Sequence, residues 1–283
     1  MSILETRNLC YFYEDDKMAL DNVNMIFKKG RTTAILGGNG AGKSTLFLNL
    51  NGVLKPKGGE VFFNGTPVKY DKKGLIDIRK KIGIVFQDPE NQLFSSSVRR
   101  DISFGPMKMG LSKNEVEERV EKAIRDTGIE HIADKPTHAL SFGQKKRVAI
   151  AGVLVMNPEV IILDEPTAGL DPQGVSEILN LLDDIKKQNN ISLIIATHEI
   201  DIVPLYCDDA YVMNRGKVVH SGSVKEMFNN PEVLRENYLR LPRIAHLMEV
   251  LKNKDNLDVD TSASTIAQGR KTINELINNI RNN

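Results

Sequence analysis

The run Gly37-Gly38-Asn39-Gly40-Ala41-Gly42-Lys43-Ser44 constrains this chain more than any other segment. It has the spacing G-x-x-x-x-G-K-[ST]. It stands between a short apolar, β-prone stretch, Thr32-Thr33-Ala34-Ile35-Leu36, and a helical pattern over residues 43 to 51. A strand that turns on glycines into a helix gathers successive backbone N–H groups and the positive end of the helix dipole at one point. That geometry suits the phosphates of a nucleotide. Lys43 is then placed to reach the β- and γ-phosphates and Ser44 to ligate Mg²⁺, with Thr45 ending the binding run that begins at Gly37.

A phosphate loop needs a second, acidic element, and Val160-Ile161-Ile162-Leu163-Asp164-Glu165 supplies it. An apolar strand ending in a carboxylate brings Asp164 beside the metal, directly or through water. Glu165 points differently and is placed to polarise an attacking water as general base. Alone, Asp-Glu after a strand reads as a solvated strand end. Together the two elements describe a nucleoside triphosphatase.

The rest of the chain agrees with an α/β architecture. Ile82 to Phe86, Val160 to Leu163 and Ser192 to Ala196 read as strands, the last two as continuous apolar runs covered on both faces. Val61-Phe62-Phe63 followed by Asn64-Gly65 predicts a hairpin. Ser112 and Glu115 form a capping-box pattern, and Val116, Val120, Ala123 and Ile124 then share one helical face. The stretch from about 90 to 155 reads as a helical insertion. Beyond about residue 220 the character changes. A polar segment from Lys252 to Asp260 separates Ile244 to Leu251 from a last helical stretch near Ile273 to Ile280.

Charge and hydropathy exclude several classes. Lys plus Arg number 38 against 37 Asp plus Glu, a net charge of +1, so no large basic face is on offer and nucleic acid is not an expected partner. The N-terminus has no signal-peptide pattern, and no apolar run approaches the about 20 residues of a membrane span. Any membrane role is expected from the surface, through a partner. Cys10 and Cys207 have no metal-ligand spacing and read as buried free thiols of a reducing cytosol. The histidines, at 131, 138, 198, 220 and 246, are scattered, so no transition-metal site is expected in this chain.

Leu140-Ser141-Phe142-Gly143-Gln144 narrows the class. With the motifs above it resembles the ABC ATPase family, whose signature is usually Leu-Ser-Gly-Gly-Gln. Phe142 replaces the first glycine, while Ser141, Gly143 and Gln144 remain. The resemblance extends over roughly residues 3 to 225. It implies a P-loop NTPase with a mostly parallel core sheet, an antiparallel β subdomain and a helical subdomain, followed by a C-terminal helical extension over 226 to 283. It also implies that Ser141 and Gly143 cap ATP held by the opposite subunit. Gln87 would contact Mg²⁺ and water and sense a membrane partner. Asp171, in Ala168-Gly169-Leu170-Asp171, would lie in the loop that crosses the dimer interface. His198, after a buried strand, would contact the γ-phosphate, and Tyr13 would stack on adenine.

The run Phe86-Gln87-Asp88-Pro89-Glu90-Asn91-Gln92-Leu93-Phe94 looks like the ATPases of energy-coupling-factor importers, which take up vitamins and transition-metal ions. The signature variant and the C-terminal extension are similar to the cobalt-type branch of that group. The resemblance implies ATP and Mg²⁺ as ligands and a dimer with itself or a homologue, helped by the extension. It also implies an integral membrane coupling protein and a substrate-binding membrane subunit as partners, reached from the cytoplasmic face. The alternatives are a vitamin importer of the same type and a non-transport ABC ATPase of translation or DNA repair; an exporter or amino-acid importer ATPase would share every catalytic residue.

Overall fold

The computed structural model describes residues 1–14 and 17–282, the last three as backbone alone, so the side chain of Ile280 lies outside the described residues. Two sheets share the molecule. Along Met18–Lys28 (β2) Val23, Met25 and Phe27 are buried while Asn24, Ile26 and Lys28 are exposed, the alternation of a strand covered on one face. It pairs antiparallel with Ser2–Phe12 (β1), which pairs in turn with Gly58–Phe63 (β4), and the short Thr66–Pro67 (β5) closes this four-stranded sheet. The β4–β5 turn carries Asn64 and Gly65 at φ 47° and 75°, the pair of positive values that a two-residue hairpin requires.

The second sheet has the order β10-β9-β3-β8-β7-β6. Here β3 is Thr32–Leu36, β6 Ile82–Val85, β7 Val160–Asp164, β8 Ser192–Ala196, β9 Asp209–Asn214 and β10 Lys217–Ser223. Five strands are parallel, and β10 returns antiparallel on β9. All five residues of β3 and of β8 are buried, which is why these strands read as unbroken apolar runs. One face packs on the first sheet through Phe27, Phe47 and Ile162, and on Lys43–Leu50 (α1). The other lies under Phe142–Leu154 (α5) and Pro172–Asn189 (α6), through Ile150, Leu163, Ile178 and Ile195.

Between α1 and β6 lies Lys72–Lys81 (α2). Val98–Lys108 (α3), Lys113–Thr127 (α4) and the outer part of α5 form a separate helical core around Val98, Ile102, Val120, Ile124 and Val148. Ser112 caps α4 by accepting the Glu115 N–H at 3.3 Å, and the four residues assigned to its inner face are buried. Val203–Tyr206 (α7), Val224–Phe228 (α8) and Pro231–Glu236 (α9) cover the β9 side of the sheet. Arg243–Asn253 (α10) and Ile266–Asn282 (α11) enclose a small cluster of Met248, Val259 and Ala263.

Two expectations need correction. The last helix starts at Ile266, seven residues before the apolar stretch at Ile273, because Thr265 caps it by accepting the Gln268 N–H. Both cysteines are free but only partly buried. Cys10 Sγ accepts the Asn22 N–H at 3.3 Å, and burial pushes the Cys207 thiol up to about 12.

Candidate active site

The carboxyl ends of β3, β6, β7 and β8 lie along one edge of the parallel sheet, where α/β proteins place their ligands. A cavity of about 310 Å³ opens there, lined by Tyr13, Gly38, Asn39, Gly40, Ala41, Gly42, Lys43, Ser44, Thr45, Gln87, Asp164, Glu165 and His198. Lys17, with Met18 and Ala19 at the start of β2, completes the wall. Tyr13 and His198, 185 positions apart in sequence, thus meet at one opening.

The glycine loop is built by close approach. At Gly37 (φ +153°) a Cβ would lie 2.4 Å from the Met213 carbonyl oxygen, and at Gly42 (φ +101°) 2.5 Å from that of Ala19. The Lys43 ammonium folds along the loop and donates to the carbonyls of Gly37 (2.6 Å) and Gly38 (3.2 Å). Burial lowers its pKa, opposed by the Glu165 and Asp164 carboxylates. The Ser44 hydroxyl donates to Asp164 Oδ2 at 3.0 Å. Tyr13 OH and Thr45 Oγ1 are 3.0 Å apart, and the Tyr13 ring stands edge-on to Tyr11.

Asp164 ends β7, and the next residue breaks the pleat. Glu165 has φ +47°, and in an extended continuation its side chain would leave by the opposite face. With the turn, both carboxylates line the cavity. Glu165 is 6% exposed. Its Oε2 accepts the backbone N–H of His198 at 3.1 Å. The His198 ring Nε2 stands 3.0 Å from Oε1, which is buried and accepts no hydrogen bond. Burial holds the Glu165 carboxyl above its ordinary value, the Asp164 carboxylate adding to this while His198 and Lys43 pull against it.

The signature residues lie apart from this cavity. Ser141 caps α5: its Oγ accepts the Gln144 N–H at 3.4 Å, and its own N–H donates to Gln144 Oε1 at 3.0 Å. Gly143 follows in the first turn, its Cα facing Leu170. The Phe142 ring shares a neighbouring cleft with Ser44, Gln87, Asp164 and Gly169. Asp171 caps α6, accepting the Gly174 N–H at 2.7 Å.

One residue at the site was not anticipated. Lys146 on α5 is 1% exposed, and its ammonium donates to the backbone carbonyls of Gln87 (2.8 Å) and Glu165 (3.0 Å). Burial pushes its pKa down to about 8, against the attraction of Glu165, Asp88 and Asp164. Its signal was helical phase: residues 146, 150 and 153 share a face, and the other two are buried apolar residues.

Among the described residues no helix is long and apolar enough to cross a membrane, and no group of three or more His, Cys, Asp or Glu side chains is placed to hold a metal ion.

Residues 20–168 match the family model described as ABC transporter. Over 280 residues the chain is 59% identical to the energy-coupling factor transporter ATP-binding protein EcfA3 of Clostridium perfringens, covering 99% of this chain and 98% of that one. It is 51% identical over 273 residues to EcfA of Methanocaldococcus jannaschii, covering 96% and 97%. Among solved structures, CbiO1 of Clostridium perfringens, described as part of the ABC transporter complex cbiONQ, superposes with a TM-score of 0.77 at 60% identity, over 88% of this chain and 99% of that one. Motif order, fold and whole-length likeness agree: the chain belongs to the ABC transporter family, as an ATPase subunit of the energy-coupling-factor kind.

Proposed function

We propose that the chain hydrolyses Mg²⁺-ATP as one half of a dimer and so drives import of a transition-metal ion, cobalt in particular, through integral membrane partners. The observation that carries the hydrolysis is the meeting of Lys43, the Ser44–Asp164 pair and the Glu165–His198 pair at one cavity. The rest of the chain is alike throughout to energy-coupling-factor ATPases.

The residues present fit Mg²⁺. A hydroxyl and a carboxylate oxygen 3.0 Å apart, on a cavity that Gln87 also lines, are hard oxygen donors suited to a small divalent ion that also takes phosphate oxygens. Ser44, Asp164 and Gln87 would hold the ion, which when bound supplies charge neutralisation on the phosphates. The chain's own residues do the rest. Tyr13 stacks on adenine, and Gly37 to Thr45 cradle the phosphates with backbone N–H groups. Lys43 leaves its carbonyl partners for the β- and γ-phosphates. Glu165, with a raised pKa and one free carboxylate oxygen, takes a proton from the attacking water, and His198 contacts the γ-phosphate.

Ser141 and Gly143 of one copy cap the γ-phosphate held by the other, and Asp171 lies in the loop crossing between them. Loss of that phosphate lets the halves part. The extension from 226 to 283, with α10 and α11, steadies the pair. Cobalt as cargo is supported by the likeness to CbiO1 and by the Phe142 signature variant; the membrane subunits, at whose cytoplasmic face this chain docks, would select the ion.

The test is to isolate the tagged chain with its partners from native membranes and measure ATP-driven uptake of Co²⁺ in vesicles. A coupling protein and a small substrate-binding subunit should co-purify. Glu165→Gln should bind ATP and give neither turnover nor uptake. Glu165-dependent uptake of a vitamin instead would remove cobalt, and recovery of ribosomal or DNA-repair proteins alone would overturn transport.

A further inference from the structure

The Lys146 ammonium sits where three separate segments converge. Its two hydrogen bonds go to carbonyls that end different strands' loops: Gln87, just beyond β6, and Glu165, just beyond β7. The ammonium also stands over the ring of Phe142, the first residue of its own helix, 5.6 Å from the ring centroid and within cation–π range. The adjacent Lys145 pairs with Glu90, in the turn that follows Gln87. The start of α5 is thus bound twice to the Gln87 loop and once to Glu165.

A buried lysine is a poor choice for stability alone. Its inner-face neighbours on α5, Ala149 and Ile150, are apolar and fully packed, and an apolar side chain at 146 would avoid the cost of desolvating an ammonium. What the lysine adds is direction. One of the carbonyls it holds belongs to the residue at φ +47°, whose left-handed backbone aims its carboxylate into the cavity. The other belongs to Gln87, which lines the same cavity.

We infer that Lys146 is a positioning residue for hydrolysis: through two backbone carbonyls it fixes Gln87 and Glu165 relative to each other and to the N-terminus of α5. The inference rests on the roles given above to Gln87 and Glu165. It has a consequence for the dimer. Ser141 and Gly143, which cap the opposite copy's nucleotide, lie within about one and a half helical turns of Lys146, so a shift of α5 at one site reaches the water-activating residues of the other.

Two full-length variants test this. Lys146→Met keeps the length and loses the donors; Lys146→Gln keeps two donors without charge. The Met variant should lose kcat by at least about tenfold with the KM for ATP and the affinity for a fluorescent ATP analogue within about threefold, and the Gln variant should recover most of that loss. Hydrogen–deuterium exchange should quicken at residues 86–88 and 165–168 in the Met variant, with the strands still protected. A Met variant with unchanged kcat, or parallel losses of kcat, affinity and Tm in both variants, overturns the inference. If the Met variant does not fold, the Gln variant decides: near-normal kcat with both loops protected supports it, and lost kcat with both loops protected refutes it. Glu165→Gln, run alongside, separates the two readings. Should it hydrolyse ATP normally, the general-base role falls, while exchange at the two loops still judges whether Lys146 fixes them.

Discussion

The Phe142 ring rests on the backbone of Gly169, so closely that a Cβ at Gly169 would come within 2.9 Å of Phe142 Cε1. The bulky residue at the signature's first glycine position is therefore matched by a glycine in the loop before α6. Gly169→Ala should destabilise the chain by about 2 kcal/mol, from this contact and from a φ of +78°. In a Phe142→Ala background the steric share disappears and about 1 kcal/mol remains. A double-mutant cycle in urea measures both, and additive costs would show that ring and loop are independent.

His198 gives a purely kinetic prediction. Its backbone N–H holds Glu165 Oε2 whatever the side chain, so His198→Ala should leave the carboxylate in place. Turnover should still fall by roughly a hundredfold as the ring's proposed contact with the γ-phosphate is lost. Steady-state hydrolysis and equilibrium binding of an ATP analogue distinguish the two effects. A matching loss of affinity would mean that the ring mainly binds.

Tyr13 separates ring from hydroxyl. Tyr13→Ala should weaken ATP binding about tenfold through lost base stacking, whereas Tyr13→Phe loses only the contact with Thr45 and should stay within about threefold. Parallel titrations with ATP and inorganic triphosphate locate the loss: only ATP should respond to the alanine change.

Lys146 also predicts a pH dependence of stability. Burial moves its pKa from 10.5 in an open chain to about 8 in the fold. Below pH 8 the ammonium is charged in both states and the fold bears the cost of burying it. Between pH 8 and 10.5 the folded chain has released the proton and the unfolded chain still holds it, so folding is favoured as pH rises. Relative to Lys146→Met, the wild-type chain should gain at most about 3 kcal/mol across that window. Denaturant unfolding at pH 7.5, 9 and 10.5 measures it, and a constant difference would refute the shifted lysine.

Much of this site could be read before any coordinates, for a physical reason. Phosphate binding needs a strand, a glycine turn and a helix in succession, so Gly37 to Thr45 carry their context with them in sequence. Asp164 and Glu165 were legible because β7 is apolar to its last residue. Lys146 was not, because Lys145-Lys146-Arg147 reads as a solvated basic run. Only the burial of Ile150 and Val153 shows which of the three turns inward. The order of strands, with β3 between β9 and β8, was equally hidden, since it depends on contacts between segments far apart in the chain.

The parallel strands have one more consequence. Val85 pairs with Leu163 and Leu163 with Ile195, so the ends of β6, β7 and β8 are aligned by their own ladders. The stretch between β6 and β7, which carries α3, α4 and α5, leaves and re-enters at two neighbouring strands. Its outer helices can lengthen, shorten or change their surface without moving Gln87 or Asp164. The surface of those helices and the chemistry at the strand ends are thereby free to evolve at different speeds within one chain.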